Sequence, residues 1–395
     1  MQINPLADGT EQTGTDSKIS SPNFQNSYSP NSILLLKDGS HFLGRQIGAV
    51  KEILGELVFN TSMSGYQEAL TDPSYAGQIL TFCYPLQGNY ATNNDDVESE
   101  KVHVRAVVVR ENCETGKFYH YKAKAGLSEY LKENDVPGIS NVDTRAIVRK
   151  VREFGVMPSI LSPLEIGLSE MQLQEKILEL KEKIHKFDYG SVNFVKEVSI
   201  SQKKIFSPKK IDKRVALIDC GAKLNIIREL NLRNVEVTAF PFDISAESIL
   251  KGNFGGVVLS NGPGDPALMK ETILATKKLI PNLPILGICL GHQIIAHALG
   301  GTTYKLKFGH RGSNHAVLNP QTGKIYITTQ NHGYAAKDIP HSIAETLFVN
   351  CNDQTNEGIM HKTLPVISAQ FHPEGSNGPK DANFLFDEFL KFMKK

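Results

Sequence analysis

Pro284-Ile-Leu-Gly-Ile-Cys-Leu-Gly-His-Gln-Ile-Ile-Ala-His-Ala-Leu299 is the run that decides how this chain is read. Pro284 to Ile288 is short and apolar, as a buried strand is, and His292 to Leu299 continues as a helix. Between them, Gly287-Ile288-Cys289-Leu290-Gly291 fits the Gly-x-nucleophile-x-Gly elbow, with Cys in place of Ser. A nucleophile on so tight a turn crowds the backbone, so a Cβ at either flanking position would clash. The elbow lifts the sulfur above the carboxyl end of a sheet, where open α/β folds bind ligands. It also sets the sulfur at a helix N-terminus, which favours thiolate. Taken alone, a buried cysteine in a Gly-rich turn explains the run equally well.

Outward from the elbow the texture is α/β. VALID (215–219), VEVTAF (235–240) and GVVLS (256–260) read as strands with helices between them, and KIYITTQ (324–330) and PVISAQF (365–371) add strands near the end. Such alternation predicts a doubly wound, mostly parallel sheet covered on both faces, over residues 214–395. Upstream, the basic, proline-broken stretch 199–213 reads as an interdomain linker. Residues 32–198 read as a smaller, β-rich α+β domain: a strand, an Asp-Gly turn and a second strand open it, and the runs LVFNTS, QILTFCYP and VHVRAVVVRE follow. NVDTRAIVRKVREFG (141–155) has helical spacing, and Leu173, Ile177, Leu180 and Ile184 form the apolar stripe of a helix over 168–187 that packs on its own domain. Residues 1–31, polar and poor in aliphatics, read as a disordered tail.

Composition narrows the classes. Lys and Arg total 43 against 42 Asp and Glu, a net charge of +1 that gives no electrostatic case for nucleic acid or an anionic membrane. No apolar run approaches the ~20 residues of a membrane span. The N-terminus lacks the basic and apolar regions of a secretory signal, and with its acids and no Arg before Arg45 it does not read as an organelle transit peptide. The 5 Cys include no CxxC pair, which argues against a disulfide framework and a cysteine zinc site and favours a reducing cytoplasm. No metal is expected in this chain.

A nucleophilic Cys needs a base, and 12 His are available. His292 and His297 lie on the elbow helix and face its packing partners; five apart, they are not a zincin pair. His310 and His315 read as part of a Gly-rich loop, and His332 stands in Asn-His-Gly. The best candidate is His372, in Phe371-His372-Pro373-Glu374 at the carboxyl end of the last strand. Residues i and i+2 of extended backbone share a side, and Pro373 fixes φ between them. Glu374 then orients the imidazole toward Cys289. The N–H of Leu290 is one oxyanion donor by the elbow geometry. The Gly-rich turn Ser260-Asn261-Gly262-Pro263-Gly264-Asp265-Pro266 is placed to supply another. It lacks the Walker and dinucleotide spacings. Cys, His and Glu on such a sheet are acyl-transfer machinery.

LSNGPGDP (259–266), GICLGHQ (287–293) and HPE (372–374) resemble the signatures of triad-type glutamine amidotransferases. FNTSMSGYQEALTDPSYAGQIL (59–80), VDTRAIVRKVRE (142–153), FGHRGSNH (308–315) and QNHGYA (330–335) are similar to the small, glutamine-hydrolysing subunit of carbamoyl phosphate synthetase, and the likeness runs from about residue 33 to the end. The resemblance implies a flavodoxin-like amidotransferase domain with Cys289 as nucleophile, His372 as base and Glu374 as its orienter. It implies oxyanion donors at Gly262 and Leu290, and L-glutamine contacts from Ser74, Gly264, Gln293, Asn331, Gly333 and Tyr334. Tyr334 stands where Phe is frequent in the family, and the contact implied there is a main-chain one. The resemblance also implies a large synthetase subunit as partner. That partner is expected to carry the ATP and Mg, with no cofactor in this chain, and to receive ammonia through a tunnel.

Overall fold

The computed structural model describes residues 29–113, 120–376 and 378–393. The expected tail lies almost wholly outside them. Its last residue, Asn31, belongs to the first domain, since its N–H donates to the Gly44 carbonyl and its own carbonyl accepts from Leu164.

Seven strands of the first domain close into a barrel, in the order Ser32–Leu36, His41–Gly48, Pro137–Ser140, Ala106–Val108, Gln78–Phe82, Ile53–Asn60 and Met157–Pro163, the last pairing back onto the first. Alternation along Ser32–Leu36 sorts the apolar residues. Leu34 and Leu36 join one cluster with Leu57, Ile79 and Val108, while Ile33 and Leu35 face the helix Glu170–His185. That helix starts on a capping box, Ser169 with Gln172, and lays Ile177, Leu180 and Ile184 on Ile33 and Ile160 of its own domain. The closure goes beyond the β-rich α+β reading, because a strand's period of two does not say which neighbour pairs with it.

The second domain is built on a ten-stranded sheet. Five adjacent strands run parallel: Val235–Pro241, Lys213–Asp219, Gly256–Leu259, Ile285–Ile288 and Val366–Ala369. Counted along the chain their order is 2-1-3-4-5, with a switch point beside Lys213–Asp219. Both faces are covered. Val215 and Leu217 pack with Leu230, Phe386 and Phe389 on one side, and Ala216 and Ile218 with Ile249, Leu279 and Ile294 on the other.

Three expectations are corrected. The sheet is parallel in only half of its strands, because Asn356–His361, Ile325–Lys337, Thr302–Leu318 and Ala344–Asn350 extend it antiparallel. His310 and His315 therefore lie on a strand. The glycines of that stretch produce register shifts between Lys305 and His310 and between Gly312 and His315, without making a loop. The stretch 199–213 is not wholly a linker either. Lys204–Phe206 pairs antiparallel with Val235–Pro241 as the sheet's edge, where flanking lysines and Pro208 guard it against further pairing. No helix of the described residues is long and apolar enough to cross a membrane.

Candidate active site

Cys289 joins the strand Ile285–Ile288 to the helix Leu290–Ala298 and adopts φ 53°, ψ −101°. This positive φ is rare for a residue with a Cβ, and strain of this kind gathers at functional sites. The glycines that flank it have no room to be anything else. A Cβ at Gly287 would stand 2.5 Å from Ile295 Cδ1, and one at Gly291 would stand 2.2 Å from the Leu259 carbonyl oxygen. The Cys289 thiol is buried and directed at the Asn331 carbonyl, 3.5 Å away, and Gln370 Nε2 lies 3.8 Å from the sulfur.

The strand Val366–Ala369 runs parallel beside Ile285–Ile288, so its continuation brings His372 to the same edge. His372 N–H donates to the Thr329 carbonyl, which anchors the backbone there. Its Nδ1 lies 2.6 Å from Glu374 Oε1. A carboxylate at that distance takes the Nδ1 proton and leaves Nε2, which is buried and without a hydrogen-bond partner, for other work. Burial and the Lys223 ammonium both press His372 toward neutrality. Glu374 and the Cys289 sulfur outweigh them, and its pKa is raised to about 10. Glu374 is held low despite its burial, chiefly by His372 and then by Lys223.

Lys223 was not foreseen. It is buried past the strand Lys213–Asp219, at the N-cap of the helix Leu224–Leu232, with Nζ 3.1 Å from Asp72 Oδ2, 3.2 Å from His372 Nδ1 and 3.6 Å from Glu374 Oε1. Burial alone would neutralise it, but Asp72 and then Glu374 hold it charged. Asp72 comes from the barrel, where it caps the turn Pro73–Tyr75 and accepts from Ser74 N–H and Asn331 Nδ2. A signal for Lys223 existed in its place just past a parallel strand, at the same carboxyl edge as the elbow. For Asp72 the signal was its cap position within the motif that carries Ser74.

The Gly262 turn follows the strand Gly256–Leu259, which pairs with Ile285–Ile288. The two turns touch: a Cβ at Gly262 would meet Leu290 Cδ2 at 2.8 Å and the Cys220 carbonyl oxygen at 2.2 Å. Leu290 N–H opens its helix and has no intrahelical acceptor. One pocket is lined by Ser74, Gly262, Gly264, Cys289, Gln293, Asn331, Gly333 and Tyr334 together. His372, Glu374 and Leu290 do not line it. Behind its lining Asn261 Nδ2 donates to Ser74 Oγ, and Gln293 Nε2 donates to the Tyr334 carbonyl and to Gln370 Oε1. Glu56 and Lys305 form an ion pair at the same pocket, one from each domain. His292 plays no part here. It contacts Ser368 Oγ, and burial pushes its pKa down to about 3. A polar pocket ending on a strained, buried sulfur beside a carboxylate-oriented imidazole suits attack on an amide or ester carbonyl.

Residues 216–392 match the family described as glutamine amidotransferase class-I, and residues 34–161 match the CPSase domain of the carbamoyl-phosphate synthase small chain. The chain is similar to the carbamoyl phosphate synthase small chain of Methanocaldococcus jannaschii, with 46% identity over 92% of this chain and 99% of that one. It is 45% identical to the protein of the same name from Listeria monocytogenes (91% and 96% covered) and 43% identical to that from Archaeoglobus fulgidus (92% and 98%).

Proposed function

The chain belongs to the carbamoyl phosphate synthase small-chain family, and from that premise we infer that it is the glutaminase subunit of this synthase. It hydrolyses L-glutamine and passes ammonia to a large, ATP-dependent subunit in the cytoplasm. ATP and Mg belong to that partner. The observation that carries the reading is Cys289 at positive φ on its elbow, opening into the pocket that Ser74, Gly262 and Asn331 share.

The steps follow from the residues. The Cys289 thiolate attacks the side-chain amide carbon of glutamine, and the oxygen that gains charge is held by the N–H groups of Gly262 and Leu290. His372, protonated and oriented by Glu374, gives its proton to the departing nitrogen, which leaves as ammonia. Water then attacks the thioester, His372 takes its proton, and glutamate and the thiolate are released. Ser74, Gly264, Gln293, Gly333 and Tyr334 hold the rest of the substrate. A stand-alone hydrolase would not need the barrel, yet the barrel supplies Ser74 and Asp72 to this site.

The test pairs the chain with its large subunit. With the Cys289→Ser chain, synthesis of carbamoyl phosphate from glutamine should vanish while synthesis from ammonium persists. Loss of both, or of neither, would overturn the assignment.

A further inference from the structure

Beside Asn331 the second domain holds a buried cluster to which the steps above assign no role, although one member, His332, also lines the pocket. His310 lies on the strand Thr302–Leu318, His332 on Ile325–Lys337 and Glu357 on Asn356–His361. One ligand atom from each falls within 4.8 Å of the other two. His310 Nδ1 is 3.3 Å and His332 Nε2 4.0 Å from Glu357 Oε1, and all three residues are buried.

The outer contacts fix the tautomers. His310 Nε2 is 2.8 Å from Asp353 Oδ2, and His332 Nδ1 is 2.8 Å from the Tyr334 carbonyl. Both partners are acceptors, so these two nitrogens carry the protons. The remaining lone pairs, on His310 Nδ1 and His332 Nε2, point at the same carboxylate. Gln330 adds another: its Nε2 donates to Glu357 Oε2 at 2.9 Å, which turns Oε1 toward His332 Nε2, also at 2.9 Å. Asn350 Nδ2 donates to Glu357 Oε1. Among the described ion pairs, Glu357 meets only the two imidazoles, and no Lys or Arg. With both imidazoles neutral this buried carboxylate would face lone pairs, which is unfavourable, and Glu357 and Asp353 accordingly raise the His310 pKa despite its burial, so the cluster favours positive charge.

We propose that His310, His332 and Glu357 form a site for a divalent transition-metal ion, best suited to zinc, that braces the hairpin behind Asn331. Two imidazoles and a carboxylate are a zinc donor set, and bonds of about 2.0–2.1 Å in a tetrahedron put ligand atoms roughly 3.3 Å apart. The His310–Glu357 separation already meets this, the His332–Glu357 separation needs to close by less than an ångström, and all three ligand atoms lie within 4.8 Å of one another. Each imidazole gives its far N–H to a carboxylate or carbonyl, as metal-bound histidines do. Gln330 Oε1, 2.9 Å from His332 Nε2, is a further oxygen beside the three. Glu357 and Asp353 together balance a charge of 2+. Asp353, half-exposed, marks the way in from solvent.

The experiment uses the full chain carrying Cys289→Ser, so that the reactive thiolate does not compete for metal. After chelation, titration with Zn2+ should show one tight equivalent and raise Tm by at least about 2 °C. Co2+ should give the visible bands of a tetrahedral nitrogen–oxygen site, without thiolate charge transfer. Glu357→Gln should weaken binding by at least roughly 100-fold, and Asp353→Asn, a milder change nearer the surface, by about 10–100-fold. The proposal is overturned if no saturable binding appears, if Asp353→Asn and Glu357→Gln bind as the parent does, or if the Co2+ spectrum shows sulfur ligation.

Discussion

Cys289 has four other cysteines as competitors for any electrophile, and the structure separates them. Cys220 is fully buried and its thiol is pushed well up by desolvation, and Cys83 is pushed up to about 11 by the same cause. Only Cys289 combines a helix N-terminus, an adjacent imidazole and a pocket. A glutamine-like chloroketone should therefore label Cys289 alone, and peptide mapping that found the label on Cys220 or Cys351 would remove it as nucleophile. Cys289→Ser should lower glutaminase kcat by at least roughly 10³-fold. His372 carries a second expectation, about pH. Its pKa is near 6.5 unfolded and about 10 folded, so the native state binds the extra proton between those values. The stability this group contributes is complete below about pH 6.5 and is lost as pH rises through 10. The difference in unfolding free energy between the parent and His372→Asn should shrink steadily from pH 6.5 to 10. A difference that stayed flat across that range would mean the imidazole is not held protonated.

The elbow is an element whose parts constrain one another. Gly291, in the first turn of the helix Leu290–Ala298, faces the Leu259 carbonyl at the end of the strand Gly256–Leu259, and that carbonyl is backbone, which cannot swing aside. Gly291→Ala should destabilise the fold by about 1–3 kcal/mol and displace the Leu290 N–H, lowering kcat by more than tenfold while KM changes little. Denaturant titration and steady-state kinetics on one preparation read both effects, and an unchanged kcat would mean that the turn tolerates a Cβ. The elbow and His-Pro-Glu were legible in the sequence for a shared reason. Each is a local arrangement, in which spacing and backbone geometry fix the side chains without knowledge of the rest of the fold. The antiparallel half of the sheet was legible only in the strand read at 324–330. In Thr302–Leu318 the glycines at 309 and 312 hide the period behind two register shifts, and exposed and buried positions alternate unevenly. Lys204–Phe206 was missed because three residues between lysines and a proline carry too little pattern to mark an edge strand.

Across the whole molecule, the site is a joint between domains. Asp72 and Ser74 come from the barrel, and Lys223, Cys289, His372 and Glu374 from the sheet. The place of Lys223 past a parallel strand does not by itself announce such a contact, which exists only once the two domains meet, and for that reason Lys223 escaped the sequence reading. Removing its charge would leave Asp72 and Glu374 as neighbouring buried carboxylates. Lys223→Met should destabilise the chain by about 3–5 kcal/mol. Adding Asp72→Asn should return part of that loss, and strict additivity in denaturant titrations would show that the two groups do not interact. The same joint bears on coupling to the large subunit. Ammonia released without an acceptor is wasted, so a glutaminase whose synthetase is another chain benefits from being slow until docked. The two oxyanion donors, Gly262 and Leu290, sit on separate turns that touch, and Asp72 ties the barrel through Lys223 to Glu374. A movement of the barrel against the sheet would thus reach the imidazole, and a misplacement of about 1 Å lowers a rate roughly 10²-fold. Binding of the large subunit with ATP and bicarbonate should raise glutaminase kcat more than it lowers KM, because geometry at the reacting carbonyl acts on the transition state and not on glutamine binding. Glutaminase kinetics with and without the partner decide this. An isolated chain already running at the rate of the complex would show that its donors are in place before docking.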